Sequence, residues 1–262
     1  MTTPFRCVIE SPMAHFYDCK NKKQPQLIEN IKTSAQAKKV GAHVFPSITT
    51  IIGQTIKHPF LDRIWKPKKL VEFARMEEYQ DLEYQDLEQL CYGFVESPSG
   101  ERVTSAEFGT AVHASAEKLL NQHKFGGQVL DSEYDEYAQP FLDWVIEKDH
   151  YVVGTEIPIA DGTIKTCGTI DVILKDKETE EIFICDFKCR KSKQFYDKDL
   201  WQMAIECEML RRKGLDYLPK CVSICIDINK KVHHHKLWSE SEQLKAIKIV
   251  KHISKLYWLL NM

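Results

Sequence analysis

The sequence predicts an α/β fold, a mixed central sheet flanked by helices, and three observations predict it. Two short apolar runs, 169–174 and 182–187, lie on either side of a charged turn at 175–181, with the length and punctuation of paired strands. Longer stretches beginning near Thr104, Glu133, Asp197 and Ser239 carry helix start signals or apolar residues at helical spacing. A third apolar run, 220–228, falls between the last two, so strands and helices are interspersed along the chain.

Taken in order, residues 1–45 read as short strands joined by a polar connection around 20–39, packed on the core without chemistry of their own. Residues 46–56 read as a helix with Ser47 as its N-cap and Pro59 just past its end. From 60 to 94 the composition is helical and charged, broken at Pro67, and YQDLE occurs twice in succession at 79–83 and 84–88. Five residues match no helical period, so this is a local duplication in an exposed helix. A loop at 96–102 follows, and a capping box, Thr104 to Glu107, opens the next helix. Phe108, Val112, Ala116 and Leu119 form its core stripe, with His113 and Glu117 four apart on a neighbouring edge. Tyr134, Tyr137, Phe141, Trp144 and Val145 mark a helix over 133–148, and a strand over 151–160 leads through Asp161-Gly162 into the 169–187 hairpin. A helix over 198–213 is capped by Asp197 and closed by Gly214. The strand 220–228, an edge strand containing His233 to His235, and a helix over 239–260 complete the order.

Composition narrows the function. The 262 residues, 43% of them hydrophobic, can bury one domain's core. No apolar run approaches the roughly 18 residues needed to span a bilayer. The first twenty residues have the pattern of neither a secretory signal nor a transit peptide, so a cytoplasmic protein with no membrane partner is expected. Nine cysteines without a CxxC spacing point to reduced thiols. A net charge of −2 argues against indiscriminate coating of nucleic acid but leaves room for a local basic patch. Three such clusters occur: Arg63, Lys66, Lys68 and Lys69; Lys188, Arg190, Lys191 and Lys193; and Arg211, Arg212 and Lys213. The last suits a helix C-terminus. In the middle one, Arg190, Lys191 and Lys193 are expected to touch phosphate.

The chemistry concentrates at 168–208. Asp171 interrupts the first strand of the hairpin, while Asp186 and Lys188, two apart, share one side of the second. A buried carboxylate costs several kcal/mol unless a positive group lies beside it. A hairpin that brings Asp171 and Asp186 together offers Mg²⁺ or Mn²⁺ two carboxylates, with the Phe187 carbonyl as a third oxygen. Lys188 beside such an ion would polarise or deprotonate the water that attacks a phosphodiester.

GTID at 168–171, DFK at 186–188 and a following helix with Gln202 resemble the PD-(D/E)XK nuclease superfamily. The RecB-type exonuclease branch, with the mitochondrial genome maintenance exonucleases and their phage relatives, is the nearest part of it. The resemblance covers 44 to the C-terminus. It implies a restriction-endonuclease-like nuclease domain over 46–262, with 60–103 as a helical insertion over the active site. There Tyr79, Tyr84, Tyr92 and Phe94 are candidates to stack on the bases of single-stranded DNA. It adds His113, from GTAVHASAE, as a metal ligand, Glu117 and Glu156 as groups that orient the ligands or serve a second ion, and Ser47 and Thr49 as phosphate contacts. Gln202 would orient phosphate or lysine, although Glu206 stands where the family pattern has Tyr. Some relatives carry an iron–sulfur cluster, but Cys221 and Cys225 are the only late cysteine pair, so none is expected. The implied activity is exonucleolytic trimming of single-stranded DNA ends or flaps in replication, recombination or repair, in a bacterial or phage-infected cell. An endonuclease acting on DNA or RNA, and a catalytically silent nucleic-acid-binding module, stand as alternatives.

Overall fold

A computed structural model describes residues 15–20, 25–31, 34–56, 94–127, 129–190, 193–229 and 231–261. Most of the expected 60–103 insertion therefore lies outside the described residues, with the YQDLE duplication, Tyr79, Tyr84, Tyr92, the 63–69 basic cluster and Lys191. The chain divides into two units: 1–56, 158–168 and 248–262 form one, and 57–157 with 169–247 form the other. No helix among the described residues is long and apolar enough to cross a membrane.

The second unit is built on a five-stranded sheet. Its strands are β6 (His150–Asp161), β7 (Thr166–Asp176), β8 (Ile182–Arg190), β9 (Lys220–Asp227) and β10 (Val232–Leu237), in the order β10-β9-β8-β7-β6. β7 and β8 pair antiparallel from Val172 opposite Cys185 to Lys175 opposite Ile182. β8 and β9 are parallel, and β9 and β10 antiparallel, so the sheet is mixed. A parallel pair needs a long crossover, supplied here by helix α5 (Asp197–Arg212). The expected edge strand around His233 is β10 at the sheet margin.

Helices α3 (Ser105–Lys124) and α4 (Asp135–Glu147) cover one sheet face, because their apolar stripes match its alternation. Phe108, Val112, Ala116, Leu119, Phe141 and Val145 meet Val172, Leu174, Cys185, Phe187, Val222 and Ile224 in one core. The capping box forms as expected: Thr104 N–H donates to Glu107 Oε2 (2.8 Å) and Glu107 N–H to Thr104 Oγ1 (3.2 Å). Asp135, 1% exposed, ties α4 to α3 by accepting from Ser115 Oγ, from Lys118 Nζ (2.7 Å) and from the backbone of Asp131 and Ser132.

The first unit carries a small antiparallel sheet of β1 (Phe16–Asp18), β2 (Gln26–Leu27) and β3 (Val44–Pro46) in the order β2-β1-β3. Helices α1 (Ser34–Val40) and α2 (Ile48–Thr55) and the 248–261 end of α6 (Glu240–Asn261) belong with it. Ser47 caps α2 as expected, its hydroxyl accepting from Thr50 N–H at 3.1 Å.

Three local expectations are corrected. The polar stretch around 20–39 contains α1, because Ala, Gln and Lys are good helix formers and one buried residue, Ala37, suffices to seat a short helix. The 94–103 end of the expected helical insertion is a hairpin of β4 (Phe94–Glu96) and β5 (Arg102–Thr104), with the expected 96–102 loop as its turn. Asp197 is the first residue of α5 rather than its cap; Asp199 accepts the Tyr196 backbone N–H at 3.0 Å instead.

Candidate active site

The ladder between β7 and β8 registers no further than Val172 and Cys185, and the next residue on each strand is an aspartate: Asp171 and Asp186. Past that point the Phe187 N–H donates to Asp171 Oδ2 at 2.9 Å. The carboxylate thus occupies the fork where the two strands part, turned toward α3. His113, on that helix, points its Nε2 at the Phe187 carbonyl, 3.0 Å away. A carbonyl can only accept, so Nε2 carries the proton and Nδ1 presents a bare lone pair. That lone pair faces Asp171 Oδ2 at 3.8 Å. Burial, reinforced by the nearby Lys188 charge, lowers the His113 pKa despite Asp171, so the ring is neutral at pH 7.

Glu156 completes the group. Its ligand atoms and those of His113 and Asp171 all lie within 4.8 Å of one another. It reaches them through a left-handed backbone, φ +47°, inside β6, a conformation that costs a non-glycine residue roughly 1–2 kcal/mol. Although Glu156 presents surface to solvent, desolvation of its carboxyl and the charges of Asp171 and Glu117 raise its pKa to about 7. Glu117 stands one turn beyond His113 and accepts from Thr155 Oγ1 (3.5 Å), which in turn accepts from Asn121 (3.0 Å).

Asp186 lies outside that three-residue grouping. It is 2% exposed, Lys188 Nζ donates to its Oδ1 at 2.6 Å, and its buried Oδ2 has no partner among the described residues. Burial, with Asp171 adding to it, raises the Asp186 carboxyl to about 7 against the pull of Lys188. Burial also works against the Lys188 ammonium, but Asp186 and Asp171 outweigh it and raise its pKa. While this pair is intact Lys188 is a proton donor, suited to polarising a water or a phosphate oxygen and unsuited to removing a proton.

On α5, Gln202 Nε2 donates to Glu206 Oε1 at 3.3 Å. Glu206 is 1% exposed; burial, then the charges of Asp171 and Asp186, raise its pKa well above the usual carboxylate range. A buried acid that senses both aspartates is a member of the site that the sequence flagged only as a departure from a pattern.

No family model and no curated protein matches the chain. Among solved structures it is similar to the "Putative exonuclease" from Eubacterium rectale, with a TM-score of 0.39 and 11% identity, over 79% of this chain and 87% of that one.

The remaining candidates fall in different places. Arg190 is gripped by both oxygens of Asp199 at 2.8 Å and lies over the Tyr196 ring, 4.7 Å from its centroid, so much of its charge is already matched. Lys193 is exposed. Ser47 is buried at the start of α2 and bonded to Thr49 Oγ1 at 2.9 Å, in the first unit.

The donor set fits a hard divalent cation. It comprises neutral imidazole and carboxylates, and it leaves two deficits that a cation would correct: a lone pair facing a carboxylate at His113 and Asp171, and an unsatisfied buried oxygen on Asp186. The Phe187 carbonyl is already engaged with His113.

Proposed function

We propose that this chain is a metal-dependent nuclease with a restriction-endonuclease-like arrangement, acting as an exonuclease on single-stranded DNA ends or flaps. The convergence of His113, Asp171 and Glu156 beside the Asp186–Lys188 pair carries this reading. The GTID, DFK and GTAVHASAE motifs of the PD-(D/E)XK type support it.

In this reading His113 Nδ1, Asp171, Glu156 and the free oxygen of Asp186 hold Mg²⁺ or Mn²⁺. Such an ion, when bound, neutralises charge developing on the phosphate oxygens and acidifies a nearby water. The chain's own groups do the rest. Asp171, held by the Phe187 N–H, and His113, held by the Phe187 carbonyl, are fixed to one peptide plane, so strand β8 sets their spacing. Lys188 offers its ammonium to the scissile phosphate or the attacking water. Glu206, its pKa raised by burial and its carboxyl bonded to Gln202, resists adding negative charge to a site that must accept a phosphodiester. Lys193 is a further phosphate contact in this proposal.

Digestion of 5′-labelled linear and circular single strands with Mg²⁺ or Mn²⁺ tests it. Release of short products from the linear strand with the circle intact is expected. Cutting of the circle would move the assignment to an endonuclease, and binding without cleavage under any divalent ion would leave only a binding module.

A further inference from the structure

We propose that His233 and His235 form a second metal site, on the margin of the five-stranded sheet, selective for ions of the Ni²⁺, Cu²⁺ and Zn²⁺ type. Strand β10 registers His233 opposite Ile226 and His235 opposite Ile224. Both isoleucines belong to the core under α3 and α4, so the two imidazoles stand on that same face, where the sheet ends. Their ring centroids are 5.7 Å apart. Two imidazole nitrogens bound to one ion at about 2.0–2.1 Å bring their rings to a spacing of roughly 4.5–6 Å. The pair is thus already spaced for a single ion, and turning the exposed His235 ring about its side-chain bonds aims both nitrogens at it.

Three features set the chemistry of the occupant. First, no hydrogen bond to either ring occurs among the described residues, and both residues reach solvent, so their lone pairs are open to an ion from outside. Second, burial lowers both pKa values, aided by the neighbouring imidazoles at His233, which falls to about 4, and by the Lys148 charge at His235. Both rings therefore favour the neutral form that a metal requires and that lacks the charge to hold an anion. Third, the surrounding charges favour a cation: Asp143 and Glu147, one turn apart on α4, act on His233, against Lys148 at His235. Two nitrogen donors select Ni²⁺, Cu²⁺ or Zn²⁺ over Mg²⁺ and Ca²⁺, which prefer oxygen, and water fills the remaining positions. His234 projects from the opposite face of the strand and takes no part. The site shares no residue with the grouping of His113, Asp171 and Glu156 and is independent of the nuclease reading.

The test uses the full chain carrying Asp171→Asn, which disarms the other grouping, titrated calorimetrically with Ni²⁺ and with Zn²⁺ in excess Mg²⁺. One saturable site is expected. His233→Ala and His235→Ala should each weaken it at least about 10-fold, since losing even a group that only supports a metal ligand costs that much. His233→Gln and His235→Gln, which keep a polar side chain of similar size, should do the same with an unchanged melting temperature in EDTA. His234→Ala should leave the affinity as it was. Cu²⁺ should also quench tryptophan fluorescence, because the Trp144 ring centroid lies 5.1 Å from that of His235 and 6.1 Å from that of His233, and Trp144→Phe should remove most of that quenching. Absence of a saturable site, its displacement by Mg²⁺, indifference to either His233 or His235, an equal loss in His234→Ala, or quenching unaltered by Trp144→Phe would each overturn the proposal. Failure of the nuclease reading appears separately, as wild-type protein that cleaves nothing with Mg²⁺ or Mn²⁺ while the Ni²⁺ site persists.

Discussion

Metal binding should make the stability of this protein depend on pH in a direction that the site fixes. Asp186 and Glu156 both have carboxyl pKa values raised to about 7. A carboxyl whose folded pKa is raised contributes stability that is complete below its unfolded value, near 4, and is lost as pH rises through about 7. These two carboxyls should therefore lower the melting temperature of the metal-free protein as pH rises from 5.5 to 8, against the opposite contribution of His113, His150, His233 and His235, whose lowered pKa values add stability as pH rises. A divalent ion requires the deprotonated form, so its affinity runs the other way: at pH 6 each carboxyl is about nine-tenths protonated, and two of them weaken binding roughly 10- to 100-fold relative to pH 8. His113, its pKa lowered by burial, favours the neutral imidazole that a metal requires. Mn²⁺ at about 100 times its dissociation constant stabilises by ~2.7 kcal/mol. At about 2–4 °C per kcal/mol that is a Tm increase of roughly 5–10 °C at pH 8. The same concentration should give a much smaller shift at pH 6. Thermal melts by circular dichroism, with EDTA or Mn²⁺ at pH 6, 7 and 8, measure this directly. A wild-type shift that is absent at pH 8, or larger at pH 6, or equally large in Asp171→Asn, would refute the reasoning.

Three more outcomes are expected. Asp186→Asn and Lys188→Ala should each cut the cleavage rate of labelled single-stranded DNA by at least about 100-fold, with DNA binding in EDTA changed only a few-fold. Glu206→Gln mimics the neutral acid, so it should leave activity within a few-fold and abolish the share of stability that wild type loses as pH rises toward the elevated Glu206 pKa; Glu206→Ala strands the Gln202 amide and should cost ~1–3 kcal/mol in urea unfolding. Phe141→Ala, which removes a ring packed edge-on against Phe187 at 4.6 Å, should cost ~3–5 kcal/mol and, by loosening the peptide that holds His113 and Asp171, reduce the Mn²⁺-induced rise in melting temperature at pH 8.

Much of the frame was legible because it is local. The capping box at Thr104 and Glu107, the stripe from Phe108 to Leu119 and the two apolar runs of the hairpin are short-range patterns, and the structure follows them. The placement of Asp171 and Asp186 just past the last registered pair, Val172 and Cys185, follows from the hairpin. What stayed hidden depends on contacts distant in sequence or on backbone exceptions. Glu156, expected only as a group that orients the ligands or serves a second ion, shares one grouping with His113 and Asp171 and has a positive φ, which the alternation of a strand cannot announce. The engagement of Arg190 by Asp199 joins a strand end to a helix start, and a cluster of basic letters conceals it. Glu206 shows in the sequence only as a departure from the family's Tyr, and its burial appears once the sheet is laid against the helix. Helix α1 is hidden by its own polarity, since a single buried alanine leaves no stripe.

The interleaved layout of the two units has a consequence for biosynthesis. Every residue gathered around Asp171 has been synthesised by position 206, and the unit that contains it ends at 247. The partner unit, begun with the earliest residues, must wait for 248–262 before Tyr257 can meet Ser34 across a separation of 223 residues. Emergence from the ribosome thus favours maturation of the later-starting unit ahead of the earlier-starting one.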